Sequence, residues 1–550
     1  MPYKQKSVSP LKYIVTMLCA TSSSTLIAQD LGQSVTAEHK TRPNIVMIVT
    51  DDQHRVDFNF LPEGKDKDGK PKNLSPNIDR IASEGIIFNN MYATSSVCTP
   101  SRFSVLTGQL ASRATSHRFT SDLKQFKQAN VSFNTHILPE NDSLPKILKQ
   151  HGYFTGGVGK NHVFEGEIIH KVNKNADVTQ AKVIKMLVEN QNAQIKAYHD
   201  NGFDFAKRIY TGNVPGQYPK GLEAHNQDWI TEGAIEFLSQ AEQKQEPFFL
   251  YFATTLEHGP HKQGTKYQGD PRMTPIGLLN EAELPKVQPS RASITQRIKD
   301  AGLEQRATDV LWLDDAVGAL LSKLEAMGEL DNTIILYFTD HGVEGGKGSL
   351  YQGGTLAPSF IWASDMIKGG TRLDNILANI DFAPTIYDFA NIDSPAKTDG
   401  KSFRKLLTKP SDDWRHSLTS EIGMTRSIIR DGWKYIAFRV PEGKMNLSAA
   451  ERKKKALSQR HNRNVKDFAS LPWMHMGGVP GGRGLERLVV KTYGKENYFA
   501  VDQLYHVAKD PKEKVNLIDN AKYTKILASL KKELAAELKQ RVGTFEEFTN

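Results

Sequence analysis

Short apolar runs alternate with helical patterns along the larger, N-terminal part of this chain. Residues 44–49 form an almost unbroken apolar run, which is typical of a parallel strand buried on both faces. Similar runs occur at 85–89, 153–159, 248–253 and 333–338. Helical spacing of apolar residues is found between them, at 77–84, 142–152 and 309–325. The alternation predicts an α/β fold with a doubly wound, mostly parallel sheet flanked by helices.

From about residue 415 the pattern changes. Residues 427–436 alternate in character around Asp431-Gly432, which is typical of a β-hairpin. Residues 442–490, with the basic run 452–455, are predicted to be irregular, and a closing helix is predicted at about 520–541. Because 550 residues exceed what one core usually fills, we expect a large α/β domain at 29–414 and a smaller α+β subdomain at 415–550.

The first 28 residues differ from the rest. Lys4, Lys6 and Lys12 precede an apolar and small-residue run that ends at Ala28. This pattern predicts a secretory signal peptide at 1–28 and export to the periplasm or the medium, without stable membrane insertion. An uncleaved N-terminal anchor is the alternative.

Cleavage of the signal would remove Cys19 and leave Cys98 as the one cysteine of the mature chain. An exported protein with a single cysteine has no internal disulfide, so Cys98 is a candidate for special chemistry. The formal charge would fall from +9 to +6 (9 − 3), because the first 28 residues contain three lysines and no acidic residue. A basic exported protein favours polyanions such as sulfated glycans, and the chain lacks the motifs of nucleic-acid readers.

Charged and imidazole side chains follow several of the predicted strands. Open α/β sheets place their ligands at the carboxyl ends of the strands, so these side chains should meet there. Two adjacent carboxylates repel each other unless a cation lies between them. An oxygen-rich set with one imidazole favours Ca²⁺ over strictly octahedral Mg²⁺. The residues concerned are Asp51, Asp52, Lys160, His162, His258, Asp340, His341 and Lys347.

The stretch from Cys98 to Arg102 reads Cys-Thr-Pro-Ser-Arg. Pro100 suits the first turn of a helix, where its missing N–H would be unpaired in any case. Cys98 should therefore lie at a helix N-terminus, where the helix dipole and free N–H groups favour an anion. Arg102 can return along the same helix face towards Cys98.

This Cys-x-Pro-x-Arg stretch resembles the signature of the formylglycine-dependent type I sulfatases of the alkaline phosphatase superfamily. Further segments resemble elements of that family: Arg42-Pro43-Asn44 through Asp51-Asp52, Gly159-Lys160-Asn161-His162, His258-Gly259-Pro260, Thr339-Asp340-His341-Gly342 and Lys347. The C-terminal match is weaker, because His506 replaces the Asp of the family's Leu-Tyr-Asp-Leu segment.

The resemblance implies an alkaline phosphatase-like fold and a sulfuric ester hydrolase. It implies that a maturation enzyme converts Cys98 to Cα-formylglycine, whose hydrate attacks sulfur and holds the sulfate covalently. By the same resemblance, Arg102 and the metal stabilise this gem-diol, Lys160 and Lys347 bind sulfate oxygens, His258 protonates the leaving alcohol and His162 assists sulfate release. The implied metal ligands are Asp51, Asp52, Cys98, Asp340 and His341. Two of these assignments are open, because many relatives have Asn at the position of His341 and His261 competes with His258 as the acid.

The basic surplus and long segments predicted to be irregular at 165–225, 260–300 and 450–490 favour a wide cleft for a sulfated polysaccharide or oligosaccharide. We expect an algal type such as carrageenan, ulvan or fucoidan. One alternative is a phosphodiester or phosphonate monoester hydrolase of the same superfamily. The other is a non-catalytic glycan-binding homologue in which Cys98 is never oxidised.

Overall fold

The computed structural model describes residues 42–262, 264–364, 366–441, 447–458, 494–545 and 548. The predicted signal peptide at 1–28, with Cys19, lies outside the described residues. Within the described part of the chain, none of the helices combines the length and the apolar composition needed to cross a bilayer.

A large mixed sheet lies at the centre of the molecule. Its strands are β1 Asn44–Asp51, β2 Ile86–Phe88, β4 Phe154–Lys160, β5 Phe205–Tyr210, β6 Phe248–Glu257, β9 Thr333–Thr339, β10 Ser359–Trp362 and β11 Thr371–Leu373. Two-residue strands lie outside it, β3 Met91–Tyr92, β7 Met273–Thr274, β8 Gly277–Leu278 and β12 Leu377–Ala378. The order across the central sheet is β11-β2-β10-β9-β1-β6-β4-β5.

Most of the neighbouring strands run parallel. Strand β1 pairs in parallel with β6 and β9, and β4 continues the parallel arrangement to β5 and β6. Strand β10 is antiparallel to both of its neighbours. The predicted mostly parallel sheet is therefore confirmed, and the strands that carry the candidate residues end at the same edge.

Helices cover both faces of the central sheet. They are α1 Pro76–Glu84, α2 Cys98–Thr107, α3 His117–Phe126, α4 Leu144–Gln150, α5 Ala181–Asp200, α6 Gln227–Lys244, α7 Ile294–Asp300, α8 Ala307–Ala326, α9 Gln352–Thr355, α10 Phe382–Phe389 and α11 Arg404–Thr408. Alternate residues of β1 belong to different cores: Ile45 packs with α2 and α10, and Val46 packs with α6 and α8. Burial on both faces explains why the β1 sequence is apolar without alternation.

The prediction that 165–225 and 260–300 are irregular is wrong in part, since the described residues of 260–293 contain only two two-residue strands and one short 3-10 turn. The first segment contains the 20-residue helix α5 and the edge strand β5, and the second contains α7. Half of the residues of α5 are polar or charged, and its buried face includes Val183 and Leu187 at i and i+4. In β5, Lys207 is exposed, which suits an edge strand and hides the strand pattern.

The smaller C-terminal part is built on an antiparallel sheet. Its strands, in spatial order, are β13 Ser417–Ile422, β14 Thr425–Arg430, β15 Trp433–Phe438 and β16 Asp502–His506. The predicted hairpin is confirmed, since β14 and β15 join at Asp431-Gly432, where both φ angles are positive, 49° and 75°. Helix α12 Ala449–Ser458 carries the basic run 452–455, so that part of the segment is not irregular as predicted. Helix α13 Thr524–Leu538 closes the chain and packs on this sheet.

The small sheet also packs against the segments that flank the candidate site. Ile429 and Tyr505 share one buried cluster with Val97, Leu350 and Tyr351. Val97 directly precedes Cys98, and Leu350 lies three residues after Lys347. The C-terminal sheet therefore supports the backbone on two sides of the site.

Candidate active site

Helix α2 begins at Cys98, as predicted. Val97 before it is extended, with φ −142° and ψ 158°, and Pro100 lies in the first turn. Cys98 is completely buried, and its Sγ lies 3.6 Å from Asp51 Oδ1 and 3.6 Å from His341 Nε2. The cysteine is thus brought together with residues from the ends of β1 and β9.

The three predicted carboxylates meet because β1 and β9 are parallel neighbours. Asp51 ends β1, Asp52 follows it with a positive φ of 56°, and Asp340 follows β9. The backbone N–H of Asp340 donates to Thr50 O at 3.0 Å, and the N–H of Asp52 donates to Asp340 Oδ1 at 3.3 Å. These bonds hold the two strand ends in register.

Four residues offer a donor set for a cation. Ligand atoms of Asp52, Cys98, Asp340 and His341 all lie within 4.8 Å of one another. His341 Nδ1 lies 2.9 Å from Gly342 O, so an Nδ1–H donor there leaves the Nε2 lone pair facing Asp52 at 3.3 Å. Two carboxylates and one oriented imidazole fit a divalent cation, and an oxygen in place of the Cys98 sulfur would fit a hard ion such as Ca²⁺ better.

Three cations face the three carboxylates, and of these Arg102 and Lys160 are buried and Lys347 is half-buried. Lys160 Nζ lies 2.5 Å from Asp51 Oδ2, and Lys347 Nζ lies 2.6 Å from Asp52 Oδ1. Arg102 Nη2 lies 3.2 Å from Asp340 Oδ2 and 3.8 Å from Asp51 Oδ1. The formal charges of these six side chains cancel, which is what burial of so many ionised groups requires.

The neighbouring cations also shift the pKa values of two adjacent carboxyl groups, those of Asp51 and Asp52. Burial alone would raise the pKa of Asp51, but Lys160, His258 and Arg102 hold that pKa well below its usual range. Burial opposes ionisation of Asp52 too, and Lys347, His258 and His341 hold its pKa low. Both side chains are therefore carboxylates at neutral pH.

The two histidines that compete as the acid occupy different places. His258 Nε2 lies 3.6 Å from Asp52 Oδ2, and its Nδ1 lies 3.1 Å from Gly259 O. Burial lowers the pKa of His258 below its ordinary value. His261 is exposed and lines a neighbouring cavity. The structure thus brings His258, rather than His261, to the carboxylates.

His162 is held in an unusual conformation beside Lys160. Its φ is 53°, its ring stacks on Phe133 with 5.3 Å between centroids, and its Nδ1 is buried without a hydrogen-bond partner among the described residues. Burial, reinforced by the charge of Lys160, holds the pKa of His162 well below its ordinary value. The imidazole of His162 is therefore neutral at neutral pH.

Two residues of the site were missed in the sequence. Tyr251, in the middle of β6, lies 3.2 Å from Arg102 Nη1 through its hydroxyl, and it looked like one more core aromatic. Asn213 accepts from Lys160 Nζ at 2.6 Å. Asn213 follows the carboxyl end of β5, so it would have been found if that strand had been predicted.

A cavity of about 640 Å³ adjoins the site. Its lining includes His54, two residues after Asp52, and Glu257, next to His258. Burial, with repulsion from Asp57 and Asp309, raises the pKa of Glu257 well above its usual range. Burial also raises the pKa of Asp57 to about 6. The complete lining is His54, Val56, Asp57, Glu257, His261, Lys262, Lys266, Tyr267, Gln268, Gln305, Arg306, Thr308 and Asp309.

Comparison with known proteins gives a consistent result. The family profile described as Sulfatase matches residues 43–392. An N-acetylglucosamine-6-O-sulfatase of Bacteroides thetaiotaomicron is 26% identical over 502 residues, which cover 76% of this chain and 82% of that protein. An arylsulfatase of Clostridium perfringens is 25% identical over 548 residues, covering 91% of this chain and 95% of the relative.

A solved structure supports the fold. A protein crystallised with its substrate D-glucosamine-2-N,6-O-disulfate superposes with a TM-score of 0.54 at 21% identity, covering 91% of this chain and 98% of the other. At this level of identity, the match establishes the fold of the chain and nothing more specific.

Proposed function

Since the chain belongs to the sulfatase family and is a sulfuric ester hydrolase, we propose that it removes sulfate from sulfated saccharides through an oxidised Cys98 and a divalent cation. One observation carries the proposal. Cys98 Sγ lies 3.6 Å from both Asp51 Oδ1 and His341 Nε2, in a site where three carboxylates pair with three cations. A completely buried cysteine serving only as a small hydrophobe would not require such surroundings.

The reactive group in this proposal is Cα-formylglycine at position 98. Its formation is a two-electron oxidation of Cβ, in which the thiol sulfur is replaced by an aldehyde oxygen, and a separate maturation enzyme supplies the oxidant. Cys98 is 0% exposed in the folded chain, so this enzyme must reach it before folding is complete. As its hydrate, formylglycine supplies the oxygen nucleophile and the covalent carrier of the sulfate.

A divalent cation would be held by Asp52, Asp340, His341 and residue 98, with Asp51 beside them. Such an ion would polarise the sulfate and lower the pKa of the attacking hydroxyl. The largely oxygen donor set supports Ca²⁺ ahead of Mg²⁺.

The cations of the chain act on the sulfate itself. Lys160 and Lys347 would turn from their carboxylate partners towards the sulfuryl oxygens, where negative charge develops in the transition state. Arg102 is bound to Asp340 and to the Tyr251 hydroxyl, and it stabilises the oxygens on residue 98. Because Arg102 and Lys160 are buried and Lys347 is half-buried, their charges are screened less than they would be in bulk water.

Two imidazoles move the protons. His258, as the imidazolium, gives a proton to the alcohol oxygen as the S–O bond to the sugar breaks. Its lowered pKa makes the imidazolium a stronger acid, and it also reduces the fraction of His258 in that form at neutral pH. His162 then accepts a proton from the remaining hydroxyl of residue 98, so that the aldehyde re-forms as sulfate leaves. His261 would be the acid only if the substrate bridged the cavity to reach it.

For the substrate, we propose a glycosaminoglycan-type saccharide with a sulfated amino sugar. The N-acetylglucosamine-6-O-sulfatase relative and the surplus of basic residues, a net charge of +9, support this choice. Carrageenan, ulvan and fucoidan fragments, the algal candidates from the sequence, belong in the same assay. We also propose export, with cleavage near Ala28.

Two measurements test the proposal. Mass spectrometry of the peptide containing Cys98, from protein coexpressed with a maturation enzyme, should show the mass of an aldehyde in place of the thiol. Sulfate release should then occur with sulfated saccharides, and turnover of phosphodiesters and phosphonate monoesters should be far lower. An unmodified thiol in a protein without sulfate release would favour the non-catalytic glycan-binding alternative. Faster turnover of the phosphorus esters would favour the phosphohydrolase.

A further inference from the structure

The cavity beside His258 has a lining with both charge signs. Asp57 is paired with Arg306, whose Nη1 lies 3.4 Å from Asp57 Oδ1, and Asp309 is paired with Lys266. Glu257 differs from these, because its Oε1 is buried without a hydrogen-bond partner among the described residues. A buried carboxyl oxygen without a partner is unfavourable in the free protein, and a ligand donor would satisfy it.

One cation of the lining is also unpaired. Lys262 is exposed at the edge of the cavity, and no acidic partner for it is found among the described residues. It lies four residues after His258. Lys262 can therefore bind an anionic substituent of a ligand without breaking an ion pair.

The cavity suits a polar ring better than it suits a single inorganic ion or an apolar ligand. Its volume of about 640 Å³ is in the range of small-molecule sites, and far exceeds the needs of a single inorganic ion. Apart from Val56 and the ring of Tyr267, its lining is polar or charged, which disfavours an apolar ligand. Sugar hydroxyls both donate and accept hydrogen bonds, so they match a lining of carboxyl groups, amides and cations.

The position of the cavity relates it to the reaction. His54 follows Asp52 by two residues, and Glu257 directly precedes His258, so two residues of the cavity lining are chain neighbours of site residues. The leaving alcohol of a sulfate ester must lie on the side of the group that protonates it.

We infer that this cavity binds the sugar ring that carries the sulfate ester, with Glu257 hydrogen-bonded to a ring hydroxyl and Lys262 facing a second anionic substituent. The inference rests on the proposed function and adds the residues that distinguish a saccharide from a simple sulfate ester. Aryl sulfates would use the sulfate-binding residues without filling the cavity.

The test compares two substrates in single variants of the full, matured chain. The readout is the ratio of kcat/KM for glucosamine-2-N,6-O-disulfate, or the panel saccharide cleaved best, to kcat/KM for 4-nitrophenyl sulfate. Glu257→Met, which keeps the length and removes the polar atoms, and Lys262→Ala should each lower this ratio at least about fivefold, mainly through KM for the saccharide. Glu257→Gln, which keeps one donor and one acceptor, should restore most of it.

Lys299→Ala, which removes an exposed lysine of α7 outside the cavity lining, is the matched control and should keep the wild-type ratio. The inference is overturned if Glu257→Met and Lys262→Ala leave the ratio within about twofold of wild type, or if they weaken both substrates equally. It also fails if the wild type cleaves aryl sulfates and no saccharide. If sulfate were released from neither the saccharides nor the aryl sulfates, the proposed function itself would be refuted.

Discussion

Lys347 Nζ lies 2.6 Å from Asp52 Oδ1, although 295 positions separate the two residues in the chain. The lysine was predicted from its resemblance to a sulfate-binding residue, and the aspartate as a metal ligand. In the structure each neutralises the other, with 13% and 16% of their side chains exposed. The site is therefore charge-balanced before substrate arrives, and the lysine is available to exchange one set of oxygens for another.

This pairing predicts the effect of removing Lys347. Lys347→Met should lower kcat/KM for any sulfate ester by about 10²–10³, the usual loss when one preorganised group facing developing charge is removed. The variant should also unfold at lower urea concentration, because Asp52 keeps its half-buried charge without its lysine partner. Lys397→Met, at an exposed position, should change neither quantity. Equal activity of the two variants would exclude Lys347 from the sulfate site.

The fold was largely predictable because buried elements have a simple apolar pattern in the sequence. Strand β1 packs against a core on each face, and its sequence shows this as an unbroken apolar run. The Asp431-Gly432 turn needs two positive φ angles, which few residue pairs accept, so the hairpin was predicted correctly. Edge strand β5 and helix α5 expose polar residues, and local pattern could not separate them from loops.

For the candidate site, the sequence predicted which residues meet but missed some of their partners. Asp51, which ends β1, and Asp340, which directly follows β9, were predicted to meet from the parallel topology alone. Tyr251 was not predictable, because its hydroxyl reaches Arg102 from a position that any core aromatic could occupy. The contact of Lys160 with Asn213 was missed because Asn213 follows β5, and this strand was not predicted from the sequence. Sequence patterns indicate which element carries a side chain, but not which atoms it meets.

The donor set predicts a response to calcium. After treatment with EGTA, added Ca²⁺ should raise the thermal midpoint and restore activity, and at 100 times Kd the added stability is about 2.7 kcal/mol. The metal-free chain should remain folded, since Arg102, Lys160 and Lys347 already balance the carboxylates. His341→Ala removes a neutral ligand, so it should weaken this response without changing the charge balance. An identical calcium titration in wild type and His341→Ala would remove His341 from the ligand set.

Asp314 predicts a pH dependence of stability. It is buried in α8 and accepts a hydrogen bond from Ile78 N at 2.8 Å and another from Asn77 Nδ2 at 2.8 Å, at the start of α1. Burial raises its pKa from 3.8 to about 7. Between these two pH values the folded state holds a proton that the unfolded state has lost, so stability from this group falls as pH rises.

The corresponding variant is Asp314→Asn, which cannot ionise. The free energy of unfolding of wild type minus that of the variant should decrease with rising pH in this window, by up to about 1.4 kcal/mol per pH unit. Urea unfolding at several pH values measures it. Asp393→Asn, on the surface, should run parallel to wild type. A difference that does not change with pH would mean that Asp314 is ionised throughout.

A buried ion pair joins the C-terminal sheet to the segment after Lys347. Lys434 Nζ lies 3.0 Å from Glu513 Oε1 and donates to Leu350 O at 3.0 Å, and Glu513 Oε2 accepts from Gln352 N at 2.7 Å. The side chains of Lys434 and Glu513 are 2% and 0% exposed. Glu513→Ala should destabilise the fold by about 3–5 kcal/mol, because it leaves a buried ammonium unpaired.

The double variant Lys434→Met/Glu513→Leu removes both charges, so it should be more stable than Glu513→Ala alone. Asp200→Ala breaks the exposed Lys196–Asp200 pair, whose side chains are 72% and 38% exposed, and should cost less than about 1 kcal/mol. Glu513→Ala and the double variant should both also lower kcat, since contacts of Lys434 and Glu513 with Leu350 and Gln352 anchor the segment that carries Lys347. Urea unfolding and aryl sulfate turnover measure the two effects. If Glu513→Ala lost stability at wild-type kcat, the C-terminal sheet would support the fold without positioning the site.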